Sequence, residues 1–558
     1  MCGLWGLIGS FENLSESQKY ELCNQIKNRG PDKSIYLNIS NINNNLPVNL
    51  GFHRLSIMDT SFNGDQPFFI EKNNRKLILL CNGEIYNFKE LIKKYNLSIN
   101  SNSDCEVIIY LYELGGIDLV LTEIIGEFAF VIIDSVKNEN IKMYLSRDPL
   151  GVRPLFYCSD KNNLGFCSVA KGLIYNKNEI INNIKPLKPG TYCEVDIDIK
   201  KNINLNEKQY YDFNFKLNYD NNNLELVKKN VRETLTKVVE ERMMSDRPLG
   251  ALLSGGLDSS LVCSIAARYL KKENKKLHTF SIGIPGATDK EYAQLVSNHI
   301  GSIHTHIEFT NDDFLNAIIP TILCTETFDI TTVRASTGQY LVSKWIRENT
   351  DIKVLLIGDG SDELCSGYMY FHNAPTPEES HNENKKLLRE IYLYDVLRAD
   401  RGIASNGLEA RVPFLDYRFV DYYMSIDPKL RVPTEGIEKW LLRESFNVDD
   451  YLPYDVLFRK KEAFSDGVSG EDDSWFKIIQ AKADKDINDN LFNEFFKKYD
   501  HCKPTSKEAL YYRLVFEKFF GEGNIQKSIP HYWLPNWCGD IKEPSARVLD
   551  VYNNKVLK

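Results

Sequence analysis

No stretch of the sequence approaches the roughly 20 consecutive apolar residues that a transmembrane helix needs. None of the 12 cysteines forms a CxxC pair, and there is no excess of basic side chains. The first absence excludes a membrane-spanning helix. The second, with cysteines at irregular spacing, excludes a disulfide or zinc-ribbon framework and fits reduced thiols in a cytoplasmic protein. The third bears on partners: 68 Lys and Arg stand against 77 Asp and Glu, a net charge of −9. That balance argues against a nucleic-acid or membrane-surface binder. The first ten residues, MCGLWGLIGS, lack the basic region of a secretory signal. Internal repeats and long low-complexity tracts are also missing.

What is present is length and pattern. A chain of 558 residues exceeds what one hydrophobic core supports, so two or more domains are expected. Apolar runs at 4–8, 50–58, 76–82, 128–134 and 141–147 read as strands. Ser15 with Gln18 and Ser103 with Glu106 fit the capping box that opens a helix, and Gly30 and Gly115 sit where helices stop. From 196 to 223 the pattern decays into a polar, Asn-rich stretch, read as a linker. Val227, Val231, Leu235 and Val238 then mark one helix face. Strand 250–253, helix 259–269, strand 277–284, helix 289–300 and strand 304–309 follow, a β-α-β-α-β order that implies a parallel sheet covered by helices. The expected division is a first domain over 2–195, a linker over 196–223 and a second domain over 224–558. EESHNENKK (378–386) reads as a mobile loop and KKENKK (271–276) as a solvated face.

Chemistry enters at the amino terminus. Removal of Met1 would leave Cys2 with a thiol and a free α-amine, whose ordinary pKa of about 7.7–8.0 lets it serve as general base for its own side chain. Alone, a cysteine at position 2 is weak evidence. Six further segments in order change the balance: NRGPD (28–32), HRLSIMD (53–59), CNGEIYN (81–87), SDCE (103–106), GEFAF (126–130) and SRDPLGVRPLFY (146–157). Together they resemble the class II glutamine amidotransferases over roughly the first 195 residues, implying an N-terminal-nucleophile αββα fold. The resemblance makes Cys2 the nucleophile, and the Asn82 side chain and Gly83 amide the oxyanion donors. It puts the α-carboxylate of glutamine on Arg54 and its α-ammonium on Asp104. Leu55, Ser56, Ile57, Met58 and Glu84 complete the glutamine pocket by the same resemblance.

In the second domain SGGLDSS (254–260) lies between a strand and a helix, where backbone amides and the helix N-terminus can wrap an anion. It is neither a Walker A loop nor a GxGxxG fingerprint. It looks like the pyrophosphate loop of the ATP-pyrophosphatases, and with GDGSDE (358–363), TTVRASTGQYL (331–341), GLEARVPFLD (407–416), FRKKEAFSDGVS (458–469) and the tail at 531–552 it resembles the asparagine synthetase family. The implied fold is a doubly wound parallel sheet. The resemblance assigns ATP to Leu253, Ser254, Gly255, Gly256, Asp258, Ser259, Ile282, Ile357 and Gly358, and Mg²⁺, bound with ATP, to Asp258 and Asp362. It assigns the catalytic cation to Lys461, with Arg459 in the same motif and Lys460 as the bland alternative. Two positions depart from the family pattern: Ile357 stands where a serine is usual, and Asp359 replaces a glutamate associated with adenylation, one methylene shorter.

The expectation is therefore a ligase that uses glutamine, aspartate and ATP and yields asparagine, glutamate, AMP and diphosphate. A glutamyl thioester on Cys2, a β-aspartyl-AMP intermediate and an internal passage for ammonia are implied. A homodimer is what the family leads one to expect. Two rivals are an amidotransferase of the same architecture with another carboxylate acceptor, and a catalytically impaired relative with a binding role, motivated by Ile357 and Asp359. His304 and His306 share a strand face but have no third ligand in view, and read as strand-surface residues.

Overall fold

The chain is described by a computed structural model covering residues 1–42, 46–137, 139–219, 223–470 and 474–549. Part of the expected linker (220–222) and of the family-like tail (550–552) lies outside the described residues.

The amino-terminal strands are β1 (Gly3–Ile8), β2 (Lys33–Ile42), β3 (Leu46–Arg54), β4 (Phe68–Lys72), β5 (Arg75–Ile85), β6 (Gly126–Val136) and β7 (Ile141–Arg147). They continue with β8 (Phe156–Ser159), β9 (Leu164–Cys167), the small hairpin β10 (Ile174–Tyr175) and β11 (Asn178–Glu179), β12 (Lys185–Pro186), β13 (Thr191–Ile197) and β14 (Ile203–Gln209). Two antiparallel six-stranded sheets result, ordered β12-β8-β9-β1-β3-β2 and β14-β13-β7-β6-β5-β4. Period-two alternation sorts their side chains. Leu4, Leu50 and Phe52 from one sheet meet Ile78, Leu80 and Met143 from the other in a shared core. The opposite faces carry Trp5 and Leu7 on one side and Leu77, Leu79 and Cys81 on the other. Helix α1 (Glu16–Asn24) covers the first of these, and α2 (Phe88–Tyr95) with α3 (Val107–Glu123) the second. This is the expected αββα arrangement.

Strand β14 pairs with β13 along its whole length, from Ile203 against Ile197 to Gln209 against Thr191. The sheet thus reaches well into the stretch read as linker. Its exposed half, with Asn, Glu and Lys on an edge, hides the strand from a hydropathy reading.

Beyond α4 (Leu224–Glu241) the second sheet system is fully parallel: β15 (Leu249–Leu252), β16 (His278–Gly283), β17 (Ile303–Glu308), β18 (Val354–Leu356) and β19 (Glu409–Arg411), in spatial order β17-β16-β15-β18-β19. The helices include α5 (Leu257–Lys271), α6 (Asp289–Ile300), α7 (Asn311–Thr325), α8 (Ile330–Asn349), α9 (Ser361–Leu364), α10 (Pro377–Glu390) and α11 (Asp395–Ala404). The strand order reverses between β15 and β18. Their carboxyl ends therefore flank the switch point where open α/β sheets bind ligands.

Two local expectations need correction. Ser15 and Gln18 form the reciprocal capping box, but Ser103 makes no side-chain cap. Instead the Glu106 carboxylate accepts from the Asn100 and Ser101 amides at 3.0 and 2.8 Å, spending itself on the preceding turn. A helix does stop at Gly115: Gly115 and Gly116 leave the helical region (φ −145° and +71°), and a second helical run with buried Ile117 and Val120 follows within the span of α3. Residues 378–386 are not a loop but most of α10, opened by Thr376 accepting from the Glu379 amide and by Pro377 in the first turn. Its buried face is polar: His381 meets Arg431 at 2.6 Å, and the Asn384 amide donates to Glu363 O at 2.6 Å. Apolar periodicity cannot detect a face built from hydrogen bonds.

Candidate active sites

Two pockets carry the residues singled out above. The first opens at the start of β1 and is lined by Cys2, Arg54, Leu55, Ile57, Met58, Gly64, Gln66, Gly83, Glu84, Asp104 and Glu409. The Cys2 thiol donates to Leu55 O at 3.7 Å, and burial raises its pKa, opposed by the nearby amino terminus. Asn82 lies on the face of β5 turned toward Leu4 and Cys2, because it alternates with Cys81 and Gly83. Among the described residues neither its amide nitrogen nor its oxygen has a hydrogen-bond partner, although the side chain is fully buried. A buried amide left unpaired costs about 1–3 kcal/mol; Asn82 is not itself in the pocket lining but stands between the lining residues Cys81 and Gly83. At Gly83 a Cβ would stand 2.3 Å from Glu127 O, so strand β6 itself demands the glycine.

Arg54 is engaged differently from the sequence expectation. Its guanidinium donates to Ser61 O at 2.6 Å, to Asp65 Oδ1 at 2.8 Å and to Asp59 O, holding the 58–65 turn against the pocket. Ser56 is half-buried outside the lining, and its amide donates to Asp32. Asp104 accepts from the Ile85 amide at 2.6 Å. Burial pushes its carboxyl up to about 7, against that hydrogen bond and reinforced by Glu409. Glu84 is raised well above the carboxylate range by burial and by Asp104.

Glu409 escaped the sequence reading as a pocket residue. It comes from β19 of the second sheet and stands 3.8 Å from the Met1 amino group. Burial would raise its pKa, but Arg411, the amino terminus and Arg153 hold it down at about 2. Around it the two sheet systems meet through buried charge: Arg411 reaches Glu84 at 3.3 Å, Arg153 bonds Glu127 at 2.8 Å and the Ala410 carbonyl at 2.9 Å, and Arg242 bridges Glu127 and Asp416 at 3.0 and 2.9 Å.

The second pocket lies at the carboxyl ends of β15, β16 and β18. Leu253, Ser254, Gly256, Asp258, Ser259, Ile282, Ile357, Gly358, Asp359, Asp362 and Lys461 all line it. Gly255 stands outside the lining at φ +79°, where a Cβ would meet the Ala293 amide nitrogen at 2.4 Å. At Gly358 a Cβ would come within 2.6 Å of the Ser259 amide, so the two loops pack backbone to backbone. The SGGLDSS turn is braced by its own hydroxyls, Ser254 and Ser259 being 3.0 Å apart.

Two lysines bridge the two aspartates. Lys439 Nζ lies 2.7 Å from both Asp258 oxygens and 2.6 Å from Asp362 Oδ1; Lys461 Nζ lies 2.7 Å from Asp362 Oδ2 and 3.7 Å from Asp258 Oδ2. Burial alone would raise the Asp362 carboxyl, but the two ammonium groups pull it far below its ordinary range. Lys461, not the neighbouring Lys460, is the cation facing these carboxylates. Lys439, in the block GIEKWLLRES, was missed. Nothing local marks it, and the only available signal was charge balance, since two buried carboxylates demand cations. Lys439 sits at φ +56° with 1% of its side chain exposed.

Asp359 is held by Arg398, whose Nε and Nη2 donate to Oδ1 at 3.2 and 3.0 Å, and by Gln339 at 3.3 Å. Burial raises its pKa against the Arg398 charge. Ile357 is buried in the apolar core beneath the loop. Arg459 pairs with Asp289 at 2.9 Å and Glu462 at 3.1 Å, steadying the segment that carries Lys461. The carboxyl-terminal segment contributes Trp533, Pro535 and Ser545 to the wall. His304 and His306 are half-buried behind this wall, joined through the hydroxyl of the lining residue Ser281, with Thr279 bonded to His304 alone. Burial lowers the first to about 4.

A family model described as "Asparagine synthase" matches residues 230–390 and 375–531, and one described as "Glutamine amidotransferase domain" matches residues 1–203. The chain is 42% identical over 576 residues to "Asparagine synthetase [glutamine-hydrolyzing]" of Gallus gallus, covering 100% of both chains. To the protein of the same description from Homo sapiens it is 42% identical over 574 residues, again covering 100% of both. Among solved structures, that of "the allosteric regulatory enzyme of purine biosynthesis" matches at 14% identity and a TM-score of 0.31, covering 55% of this chain and 80% of that one.

Proposed function

The chain belongs to the glutamine-hydrolysing asparagine synthetases and carries out glutamine-dependent asparagine synthesis, and we propose that its two pockets divide that reaction into amide hydrolysis at Cys2 and adenylation at the switch point. The full-length match sets aside the rival reading with another carboxylate acceptor. The domain division proposed is a glutaminase unit ending at Gln209 and a synthetase unit beginning at Leu224. Among the described residues no helix is long and apolar enough to cross a membrane. A cytoplasmic location is proposed on the twelve free cysteines, and a homodimer on the family resemblance alone.

In the glutaminase half-reaction, once Met1 is removed, the Cys2 amine takes the thiol proton as sulfur attacks the side-chain amide carbon of glutamine. The oxyanion that forms is met by the Asn82 side chain and the Gly83 amide. The proton passes to the departing nitrogen, ammonia leaves, and water hydrolyses the thioester to glutamate. Asp104, when ionised, supplies negative charge for the α-ammonium of glutamine, Glu84 lines the pocket beside it, and Arg54 supplies positive charge for the α-carboxylate. The observation that carries this half is the buried, unpartnered amide of Asn82.

In the synthetase half-reaction the β-carboxylate of aspartate attacks the α-phosphorus of ATP and diphosphate leaves, giving β-aspartyl-AMP. Ammonia then displaces AMP. Ser254, Gly256 and Ser259 hold phosphate oxygens, while Lys461 and Lys439 offset the charge that develops on diphosphate. Asp258 and Asp362 are two adjacent hard carboxylates beside a phosphate loop, a donor set that fits Mg²⁺. Bound there with ATP, the ion would supply neutralisation of phosphate charge. Asp359, fixed by Arg398 and Gln339, faces the same space and orients the reacting carboxylate.

The test is direct. Protein incubated with glutamine, aspartate and Mg·ATP should release asparagine, AMP and diphosphate in equal amounts. ADP as the nucleotide product would overturn the adenylation step, and glutamate release without diphosphate would reduce the protein to a glutaminase.

A further inference from the structure

The Cys2 centre touches the synthetase domain at a second point besides Glu409. The Arg29 guanidinium donates through Nε to the Cys2 carbonyl at 3.1 Å. Its two terminal nitrogens form a fork on Asp400 of α11, at 2.8 Å to Oδ2 and 3.3 Å to Oδ1. Both side chains are about 95% buried or more, and Arg153 adds a second cation 3.7 Å from Asp400. A bidentate carboxylate fixes the plane of a guanidinium and therefore the direction of its third donor. Asp400 thus decides where the Arg29 Nε–H points, and that target is the backbone of the nucleophile itself.

Helix α11 has a second end to this contact. Arg398 lies two positions before Asp400, and two positions turn an α-helix by about 200°. One side therefore presents Arg398 to Asp359 in the synthetase pocket, while the other presents Asp400 to Arg29. Apart from Arg398, every residue of α11 is buried. Arg401 adds a bond to Glu326 at 3.0 Å, and Glu326 accepts the Ala170 and Lys171 amides of the glutaminase domain at 2.8 Å each.

We propose that Asp400 is a positioning residue of the glutaminase centre contributed by the synthetase domain: its carboxylate aims Arg29 at the Cys2 carbonyl. The inference rests on Cys2 being the glutaminase nucleophile.

Asp400→Asn keeps the shape and removes the charge. It should lower kcat for glutamine hydrolysis at least tenfold, leave the glutamine KM within twofold, and leave ammonia-driven asparagine synthesis within twofold. Asp400→Glu should recover part of the lost kcat. Arg29→Lys, which cannot form the fork, should show the same kcat loss, and the double variant should be no worse than Arg29→Lys alone. Unchanged kcat in Asp400→Asn, additive losses in the double variant, or equal losses in both half-reactions would each overturn the proposal. Cys2→Ala separates the two layers: if that variant still hydrolyses glutamine, the reading of Cys2 fails first. If it is inert and Asp400→Asn behaves as the parent, only the role of Asp400 falls.

Discussion

The glutaminase and synthetase pockets handle buried polarity in opposite ways. Around Cys2, the Asn82 amide has no partner among the described residues, and Asp104 and Glu84 are pushed toward their neutral forms. At the switch point, Lys439 bridges Asp258 and Asp362 within 2.7 Å, and Lys461 lies 2.7 Å from Asp362 and 3.7 Å from Asp258. The difference follows from the substrates. An amide and an amino-acid zwitterion bring little net charge, so the first pocket can hold unsatisfied donors ready for an oxyanion. A triphosphate brings about four negative charges, so the second pocket must carry its own cations, and in the free enzyme these need carboxylates to stay buried.

The sharpest way to break that contrast is to remove one polar group from each pocket. Lys461→Ala is a cleaner choice than a change at Lys439, because Lys461 keeps 18% of its side chain exposed while Lys439 is sealed between both aspartates. Diphosphate release should fall about 10³-fold with glutaminase activity retained, as expected when charge stabilisation is lost in a dry site. Asn82→Ala should lower kcat for glutamine hydrolysis about 10²–10³-fold, leaving aspartate- and ammonia-dependent diphosphate release untouched. Loss of both activities in either variant would show that the pockets are not separable.

A smaller effect should come from pH. Asp104, raised to about 7, is ionised above that value and can pair with the α-ammonium of glutamine; as pH falls through 7 it protonates and the pairing is lost. In the free enzyme kcat/KM for glutamine should therefore drop about tenfold per pH unit below 7. Asp104→Asn should be poor at every pH and lack this step. A step that persists in the variant would assign it to another group.

The smallest change is expected at Asp359→Glu. The extra methylene must displace Arg398 or Gln339, which now close on the shorter side chain, and overpacking of this kind is modest in cost. Diphosphate release should slow severalfold. An unchanged rate would make the position indifferent, whereas a hundredfold loss would show that the pocket has been rebuilt around the shorter acid.

Most of the residues proposed for the two sites could be picked out in the chain because their motifs are local. SGGLDSS and GDGSDE each follow a strand, and chain connectivity alone brings such turns to one edge of a parallel sheet. Asn82 was named by resemblance, and its place on the face of β5 between the sheets came from the strand register. Elements without a long apolar stripe were not legible: β14 read as linker because only Ile203 of it is buried and the rest of this edge strand is mostly polar, and α10 as loop because His381 and Asn384 on its buried face are held by hydrogen bonds. Arg54 was expected to present its fork to a ligand, but much of its donor capacity is committed to Ser61, Asp59 and Asp65.

Sequence by itself determined the two chemistries, the order of the domains and the loops proposed to meet phosphate, because residue identity and spacing along one strand or turn are properties of the chain. Tertiary structure alone decided that Lys439 lies between the two aspartates, that Glu409 enters the Cys2 pocket, and that Asp400 grips Arg29 371 positions away. These are pairings of opposite charge across long loops. Their partners are chosen by which buried groups end up facing one another after the sheets have packed, and no local pattern records that.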